Sequence, residues 1–297
     1  EDELAGELKQ EFGEGFEVVT TRHYTICTNS GPAYARWCGA LFERLMGAFR
    51  THWKTRALDL HDPELPLVAI VFSDAEQFAK FATKDAGPAV ANAKGYYSIR
   101  TNRMVLYDLT ADGKSDRAVT PAAVNRKIAA SPFNVATVVH EATHQIAFNC
   151  GMHTRYADNP LWLSEGMAMY FETPDLKSRN GWRTVGKVNA VRLNRFHDYA
   201  RKRRKANALE SLLSSNARFA NAETAEDAYA ESWALNYFLI KTRRKQYMDY
   251  LNRLSKKPAL IWDEPESKVQ AFRSSFGDDL QTLDRRFLQY VGRLGKR

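Results

Sequence analysis

The chain changes character near residue 130: short apolar runs typical of strands occur before it, and helical spacing dominates after it. Residues 16–28 are rich in β-branched and aromatic side chains, and 67–72 form a short apolar run; both segments predict strands. Apolar side chains recur at helical spacing over 32–54, which predicts a helix between them. Two further strand-like segments, 95–99 and 103–109, are joined by a polar turn and predict a hairpin.

The ends of these elements carry further signals. Residues 1–15 are acidic and contain glycine, so we expect a frayed end. Ser73 or Asp74 is expected to cap a helix that follows the second strand. From residue 131 onward the pattern is almost wholly helical, with Ser131, Asn159 and Thr224 as predicted caps. Pro132, Pro160 and Asp227 support these three starts as first-turn residues.

These elements predict an α+β fold in two lobes of one catalytic unit. Residues 1–150 are expected to form a lobe with a small twisted sheet and flanking helices. Residues 151–297 are expected to form a helical lobe. The expected architecture places a cleft between the two lobes.

Composition narrows the function classes. Apolar residues make up 44% of the chain and charged residues 26%, which is ordinary for a globular protein. No apolar run approaches the roughly 20 residues that span a bilayer, so no membrane span is predicted. Three cysteines are too few for a disulfide framework or a cysteine zinc cluster, although one pair could form a bridge.

The net charge of +8 arises partly from the run Arg-Lys-Arg-Arg-Lys at 201–205. We interpret this run, which extends from Arg201 to Lys205, as a solvated helix end. The alternative is a weak contact with an anionic polymer. No nucleic-acid-binding motif accompanies the run, so no nucleic-acid partner is expected.

The most specific pattern in the chain is H-E-x-x-H at 140–144. Residues four apart on a helix lie about 40° apart around its axis, so His140 and His144 can bind one ion. Glu141 lies at the edge of that face, where its carboxylate reaches an attacking water rather than the metal. The surrounding residues are apolar, which predicts a buried helix whose polar groups need partners. The alternative is a pair of core histidines satisfied by hydrogen bonds.

A zinc hydrolase needs a third protein ligand. Cys150 stands where the metzincin pattern has its third histidine, and His153 lies beyond the predicted helix end. Glu165 is the best candidate, because it lies in the middle of a predicted helix that is apolar on nearly all sides. An unpaired carboxylate there would cost several kcal/mol, and a bound cation resolves that conflict. The alternative is an ordinary buried glutamate paired with an arginine.

H-E-x-x-H followed some twenty residues later by W-L-x-E-G-x-A resembles the gluzincin clan of zinc peptidases, to which thermolysin and the zinc aminopeptidases belong. The resemblance implies a zincin-like fold and one Zn²⁺ ion bound by His140, His144 and Glu165, with Glu141 as general base. Met169 replaces the aspartate that thermolysin has one turn after its glutamate ligand. The resemblance is closest to exported bacterial proteins with a gluzincin-like domain of unknown function, which implies a secreted or periplasmic location.

A helix predicted further downstream resembles the aminopeptidase helix whose tyrosine stabilises the transition state. Tyr229 occupies the matching place, while Glu231 and Ser232 replace the Lys-Gly that follows it in that family. Tyr229 is therefore a candidate catalytic residue that donates to the oxyanion. The alternative is that Tyr229 only packs on a neighbouring helix, with Tyr237 or Tyr170 as substitutes.

The predicted hairpin at 95–109, with Tyr96 and Tyr97, is a candidate edge against which a peptide substrate adds a strand. The alternative is that these two tyrosines only pack the sheet. The sequence thus predicts a zinc metallopeptidase, with endopeptidase action favoured because no aminopeptidase signature stands upstream of His140. Two alternatives remain. One is a protein that retains zinc but only binds peptide or cell-wall material, and the other is a basic interaction module whose motif is coincidental.

Overall fold

A computed structural model describes residues 2–54, 58–110, 118–130, 132–178 and 182–295. These residues form an α+β protein with one mixed five-stranded sheet and 13 α-helices, which confirms the predicted fold class at this level. The chain divides into two compact units. The first contains the sheet and comprises Glu1–Trp53, His61–Cys150 and Pro174–Arg183. The second is helical and comprises Lys54–Leu60, Gly151–Thr173 and Thr184–Arg297.

The sheet has the strand order β1-β2-β3-β5-β4. Its inner pairs, β2 with β3 and β3 with β5, are parallel, and its outer pairs are antiparallel. The hairpin predicted at 95–109 is therefore present, and its first strand is an edge of the sheet. The strands are β1 (Glu17–Thr20), β2 (Tyr24–Thr28), β3 (Leu67–Phe72), β4 (Gly95–Ser98) and β5 (Arg103–Tyr107).

The helices of the first unit cover both faces of this sheet. The Asp74 carboxylate accepts a hydrogen bond from the Gln77 amide and caps the helix predicted after β3. The expectation of a frayed N-terminal segment is wrong, because that segment forms a helix and its Leu8 is fully buried in an aromatic-rich cluster with Phe72 and Phe78. The helices are α1 (Asp2–Phe12), α2 (Pro32–Trp53), α3 (Ala75–Ala86), α4 (Pro121–Ala130) and α5 (Pro132–Asn149).

The helices of the second unit surround one central helix, α10, most of whose residues are buried. It packs against α6, α7, α11 and α13. Burial on nearly every side explains why α10 lacks a clear amphipathic pattern in the sequence. The helices are α6 (Leu161–Phe171), α7 (Ala190–Lys202), α8 (Ala208–Ser214), α9 (Ala217–Ala220), α10 (Ala225–Thr242), α11 (Arg244–Leu254), α12 (Pro265–Phe276) and α13 (Leu280–Val291).

Two of the three predicted caps differ from expectation. Pro160 occupies the N-cap position of α6, and the Asn159 side chain instead donates to backbone carbonyls of the preceding loop. Thr224 is the N-cap of α10, but its side chain makes no capping bond. Asp227 does not form the predicted capping pair, because arginine side chains bind its carboxylate. The third predicted cap, Ser131, lies outside the described residues.

The basic run at 201–205 is largely paired within the chain. Arg204 has a buried side chain whose Nε lies 2.7 Å from Oε1 of the fully buried Glu231. Arg203 pairs with Asp227 at 2.9 Å. The expectation of a solvated helix end is therefore wrong for Arg204. Intramolecular pairing leaves less charge for an anionic polymer than the composition indicates.

The three cysteines Cys27, Cys38 and Cys150 are buried, and none forms a disulfide. Burial raises the pKa of the Cys27 and Cys150 thiols to about 12, so both remain protonated and unreactive near neutral pH.

In the described segments, no helix is both long enough and apolar enough to cross a membrane, in agreement with the prediction from sequence.

Candidate metal centre

Side-chain amides bond the motif helix α5 to β3 and to the turn between β4 and β5. The Nε2 atom of Gln145 donates to the backbone carbonyls of Val68 and Asn102, at 2.9 and 3.0 Å. The side chains of Asn102 and Asn149 exchange two hydrogen bonds of 2.8 Å. Asn102 has a φ of 59° in the hairpin turn, a conformation that asparagine tolerates better than most residues. These contacts fix the rotation of α5 about its axis.

The four-residue spacing of the two motif histidines on α5 places their side chains next to each other. The Nε2 atoms of His140 and His144 lie 3.0 Å apart, and the two rings are nearly perpendicular. Two imidazole nitrogens bound to one tetrahedral zinc ion are about 3.4 Å apart, given zinc–nitrogen bonds of about 2.0–2.1 Å. A direct hydrogen bond between the rings gives a similar separation. The position of the third candidate ligand therefore decides between the two interpretations.

That third candidate, Glu165, lies on α6 beside a close helix contact. A Cβ on the adjacent Gly166 would lie 1.9 Å from Nδ2 of Asn236 and 2.4 Å from the carbonyl oxygen of Ser232. Asn236 also donates to the carbonyl of Trp162 at 2.9 Å, which ties α6 to α10. The glycine thus permits the close approach of the two helices. Their contact fixes the position of α6, and with it the position of Glu165, relative to α10.

His140, His144 and Glu165 come together as the sequence predicts. Each offers one ligand atom, and these atoms lie within 4.8 Å of one another. Across the described residues, this is the one group of three or more histidine, cysteine, aspartate or glutamate side chains that could hold a metal ion. Cys150 and His153, the competing candidates for the third ligand, do not belong to it.

The charge environment of Glu165 bears on the alternative in which an arginine neutralises it. Burial by itself lowers the pKa of the Arg192 guanidinium. Nearby carboxylates outweigh this effect, so that the pKa is raised; in order of influence they are Glu172, Glu226 and Glu165. Two hydrogen bonds from the Arg192 guanidinium go to the Glu172 carboxylate, at 3.1 and 3.3 Å. Arg192 therefore places a positive charge near both Glu172 and Glu165.

The motif glutamate contacts the edge strand. Oε2 of Glu141 accepts a hydrogen bond of 2.9 Å from the backbone N–H of Tyr97 in β4. Opposite residues of an antiparallel pair alternate between hydrogen-bonded and non-hydrogen-bonded pairs, and the Tyr97 N–H, which bonds Glu141 rather than its opposite residue Met104, points away from β5. The carboxylate of Glu141 therefore lies along the outer side of the edge strand.

The tyrosines singled out from the sequence have packing contacts. The Tyr96 hydroxyl donates to Asp85, and Tyr97 donates to Asn102 while its ring stacks on that of Phe148. These contacts support a packing role for both side chains, whereas the Tyr97 backbone faces Glu141.

Tyr229, the candidate oxyanion donor, is half-buried on α10, and its ring packs edge-on against Phe219. Its catalytic role stays a prediction.

The departure from the Lys-Gly pattern that follows this tyrosine in the aminopeptidases has a structural reason. Glu231 is fully buried and pairs with Arg204 and Arg218, and the backbone of Ser232 faces Gly166.

Comparison with known proteins gives one finding. Residues 134–260 match a family model described as a protein of unknown function, DUF1570. The match extends from within α5 to the end of α11 and beyond, and so includes all three residues of the candidate metal centre. No curated protein shows significant similarity to the chain.

Proposed function

We propose that the protein is a zinc metallopeptidase of the gluzincin type, with His140, His144 and Glu165 as ligands and Glu141 as general base. The main observation behind this proposal is that one potential ligand atom from each of the three side chains lies within 4.8 Å of the other two. The resemblance of the two motifs to the gluzincins supports the same assignment. It also supports a location outside the cytoplasm.

The donor set suits zinc better than other common ions. Two imidazoles and one carboxylate form a mixed nitrogen and oxygen set, whereas calcium and magnesium prefer oxygen ligands alone. Three protein ligands leave one tetrahedral position for water or substrate. A zinc ion held there would supply Lewis-acid polarisation of the attacking water and the scissile carbonyl.

The chain's own groups would then carry the proton. The Glu141 carboxylate accepts a proton from the attacking water and delivers it to the leaving amine. A substrate extended along β4 would pass beside Glu141, because that carboxylate lies on the outer side of the edge strand. Tyr229 is the proposed hydrogen-bond donor to the oxyanion.

Two measurements test this proposal. Metal analysis of the purified protein should find one zinc ion per chain. Digestion of a peptide library should yield cleavage products that Glu141→Gln does not yield. Protein purified with full zinc occupancy that leaves every peptide intact would contradict the peptidase assignment.

The second candidate function is a zinc-retaining protein that binds peptide or cell-wall material without hydrolysis. The hydrogen bond from Tyr97 to Glu141 favours it, because this bond gives the motif glutamate a structural role that does not depend on catalysis. Binding of library peptides with equal affinity by the wild type and Glu141→Gln, and no cleavage by either, would support this second function.

A further inference from the structure

Three consecutive large apolar side chains between α11 and α12 lie in solvent. Leu260 is 69% exposed, Ile261 58% and Trp262 64%. We name Leu260, Ile261 and Trp262 the apolar tip. Isolated exposed apolar residues are common on proteins, but a contiguous group with a tryptophan marks an interaction site more often than chance.

The backbone that carries the apolar tip is strained. Leu260 has a φ of 63° and Tyr156 a φ of 61°, both in the left-handed region that bulky side chains seldom adopt. The two residues are joined by a hydrogen bond of 2.7 Å from the Leu260 N–H to the Tyr156 carbonyl. Tyr156 itself is 43% exposed. Strain of this kind persists only where the surrounding structure enforces it, and it is concentrated at functional sites.

Hydrogen bonds to a buried aspartate enforce this conformation. The Asp158 carboxylate accepts from the backbone N–H of Asp263 at 2.9 Å and lies 3.0 Å from the Lys268 ammonium. The Asp158 carbonyl accepts from Lys257 at 2.9 Å, and Lys257 also pairs with Asp263. Both ends of the apolar tip are thereby anchored, so its exposure is a property of the fold.

We propose that the apolar tip inserts into the interfacial region of a lipid bilayer and docks the protein on a membrane surface. Tryptophan and tyrosine prefer the level of the lipid headgroups, and a few apolar side chains with nearby cations suffice for reversible binding. Trp262 and Tyr156 supply the aromatic rings. Lys256 is exposed and makes no ion pair with the described residues, and the Arg155 guanidinium lies over the Tyr156 ring.

The size of the apolar tip disfavours a second copy of the chain as its partner. Its three side chains together expose on the order of 400 Å², judged from the usual areas of aromatic and aliphatic side chains. A stable protein interface buries about 800 Å² on each partner. Insertion of a loop into a bilayer has no such requirement of area.

The exposed charges around the apolar tip are of both signs. Lys256 precedes it, while Glu264 and Glu266 follow it. Electrostatic attraction of this region to anionic lipid is consequently weak, although the whole chain carries a net charge of +8. Membrane binding must therefore depend mainly on the apolar side chains.

Sedimentation with vesicles of phosphatidylcholine and phosphatidylglycerol tests this proposal on the full chain. The wild type should sediment with the vesicles, and Trp262→Ala should lower the partition coefficient by at least fivefold. Leu260→Gly should lower it as well while leaving the unfolding midpoint unchanged or higher, because glycine adopts a φ of 63° without strain. Leu65→Ala, at a side chain 77% exposed elsewhere, should bind as the wild type does.

A direct probe uses the burial of the native thiols. Because all three cysteines are buried, Trp262→Cys offers one accessible thiol for an environment-sensitive fluorophore. Its emission should shift to the blue when vesicles are added. Failure of the wild type to sediment, or equal binding by wild type and Trp262→Ala, would overturn the proposal. So would a concentration-dependent dimer that Trp262→Ala dissociates while vesicles bind neither form.

Discussion

The carboxylate of Glu141 and the backbone N–H of Tyr97 are joined by a hydrogen bond of 2.9 Å, which connects the motif helix to the edge of the sheet. This bond gives Glu141 a fixed position before any substrate is present. It also separates two properties of the residue: any side-chain carbonyl or carboxylate oxygen at this position can accept the bond, but only a group that can take up a proton serves as a general base.

Glu141→Gln should therefore leave the structure intact and abolish hydrolysis. The glutamine carbonyl still accepts the Tyr97 N–H, whereas an amide cannot act as a general base near neutral pH. We expect zinc stoichiometry and the thermal midpoint to match the wild type, and peptide cleavage to fall by at least a hundredfold. Cleavage at the wild-type rate would remove Glu141 from the mechanism.

Replacement of the third ligand should remove the metal. Glu165→Ala leaves two imidazoles, and we expect zinc in the purified protein to fall to less than one tenth of an ion per chain. His153→Ala is the matched control, because His153 is a buried competing candidate outside the three-residue group. Full zinc occupancy in folded Glu165→Ala would rule out its assignment as a ligand.

Gly166→Ala should destabilise the second unit. Its Cβ would lie 1.9 Å from Asn236 and 2.4 Å from a backbone carbonyl, so α6 and α10 would have to separate. Overpacking of this kind costs about 1–3 kcal/mol, measurable by denaturant unfolding. Gly47→Ala provides the control, because Gly47 lies within α2 with nothing within 4 Å of its added Cβ. It should stabilise the protein by up to about 1 kcal/mol.

Glu231→Gln should be strongly destabilising. Glu231 is fully buried and pairs with Arg204 at 2.7 Å and Arg218 at 2.8 Å, so its loss leaves guanidinium charge uncompensated in the interior. Breaking one partner of a buried pair costs about 3–5 kcal/mol. Asp198→Asn removes a surface acid that also pairs with basic residues of the 201–205 run, and should destabilise the protein far less, because solvent screens these pairs. Similar unfolding energies for the two variants would contradict this difference.

Tyr229→Phe should reduce turnover while retaining zinc, if its hydroxyl donates to the oxyanion. Loss of one such donor typically costs about 10²–10³ in kcat. Because the ring that packs on Phe219 is retained, the free energy of unfolding should change little. Unchanged kcat would leave Tyr229 with a packing role only.

The sequence was informative where one local signal dominated. The β3 run, the α2 periodicity and the Asp74 cap predicted their elements correctly. H-E-x-x-H predicted that the His140 and His144 side chains would converge, because helix geometry alone brings residues four apart together. The burial of α6 around Glu165 was also readable from its composition.

Other features depended on tertiary contacts that no local pattern specifies. The acidic N-terminal segment forms a helix because the sheet offers Leu8 a place to be buried. Arg204 is buried because Glu231 and Asp284 pair with it from distant positions in the chain. The paired hydrogen bonds between Asn102 and Asn149 were not predicted, since Asn149 lies on α5, far from the hairpin turn in the chain.

One missed feature did leave a signal. Polar residues recur every four positions on α5, at Glu141, Gln145 and Asn149. That spacing places them on one stripe of the helix, and the structure shows this stripe bonded to the hairpin. A polar stripe on a buried helix thus indicated a second polar surface beside the histidine pair.

X-ray absorption at the zinc edge of the purified protein tests the central claim most directly, because it reports the atoms bound to the ion. The account predicts a shell of nitrogen and oxygen at about 2.0–2.1 Å, with the scattering of two imidazoles and no sulfur shell. The same measurement on Glu165→Ala should show no ordered site. A sulfur shell at about 2.3 Å, or a spectrum without the contribution of two imidazoles, would contradict the assignment of His140, His144 and Glu165 as ligands.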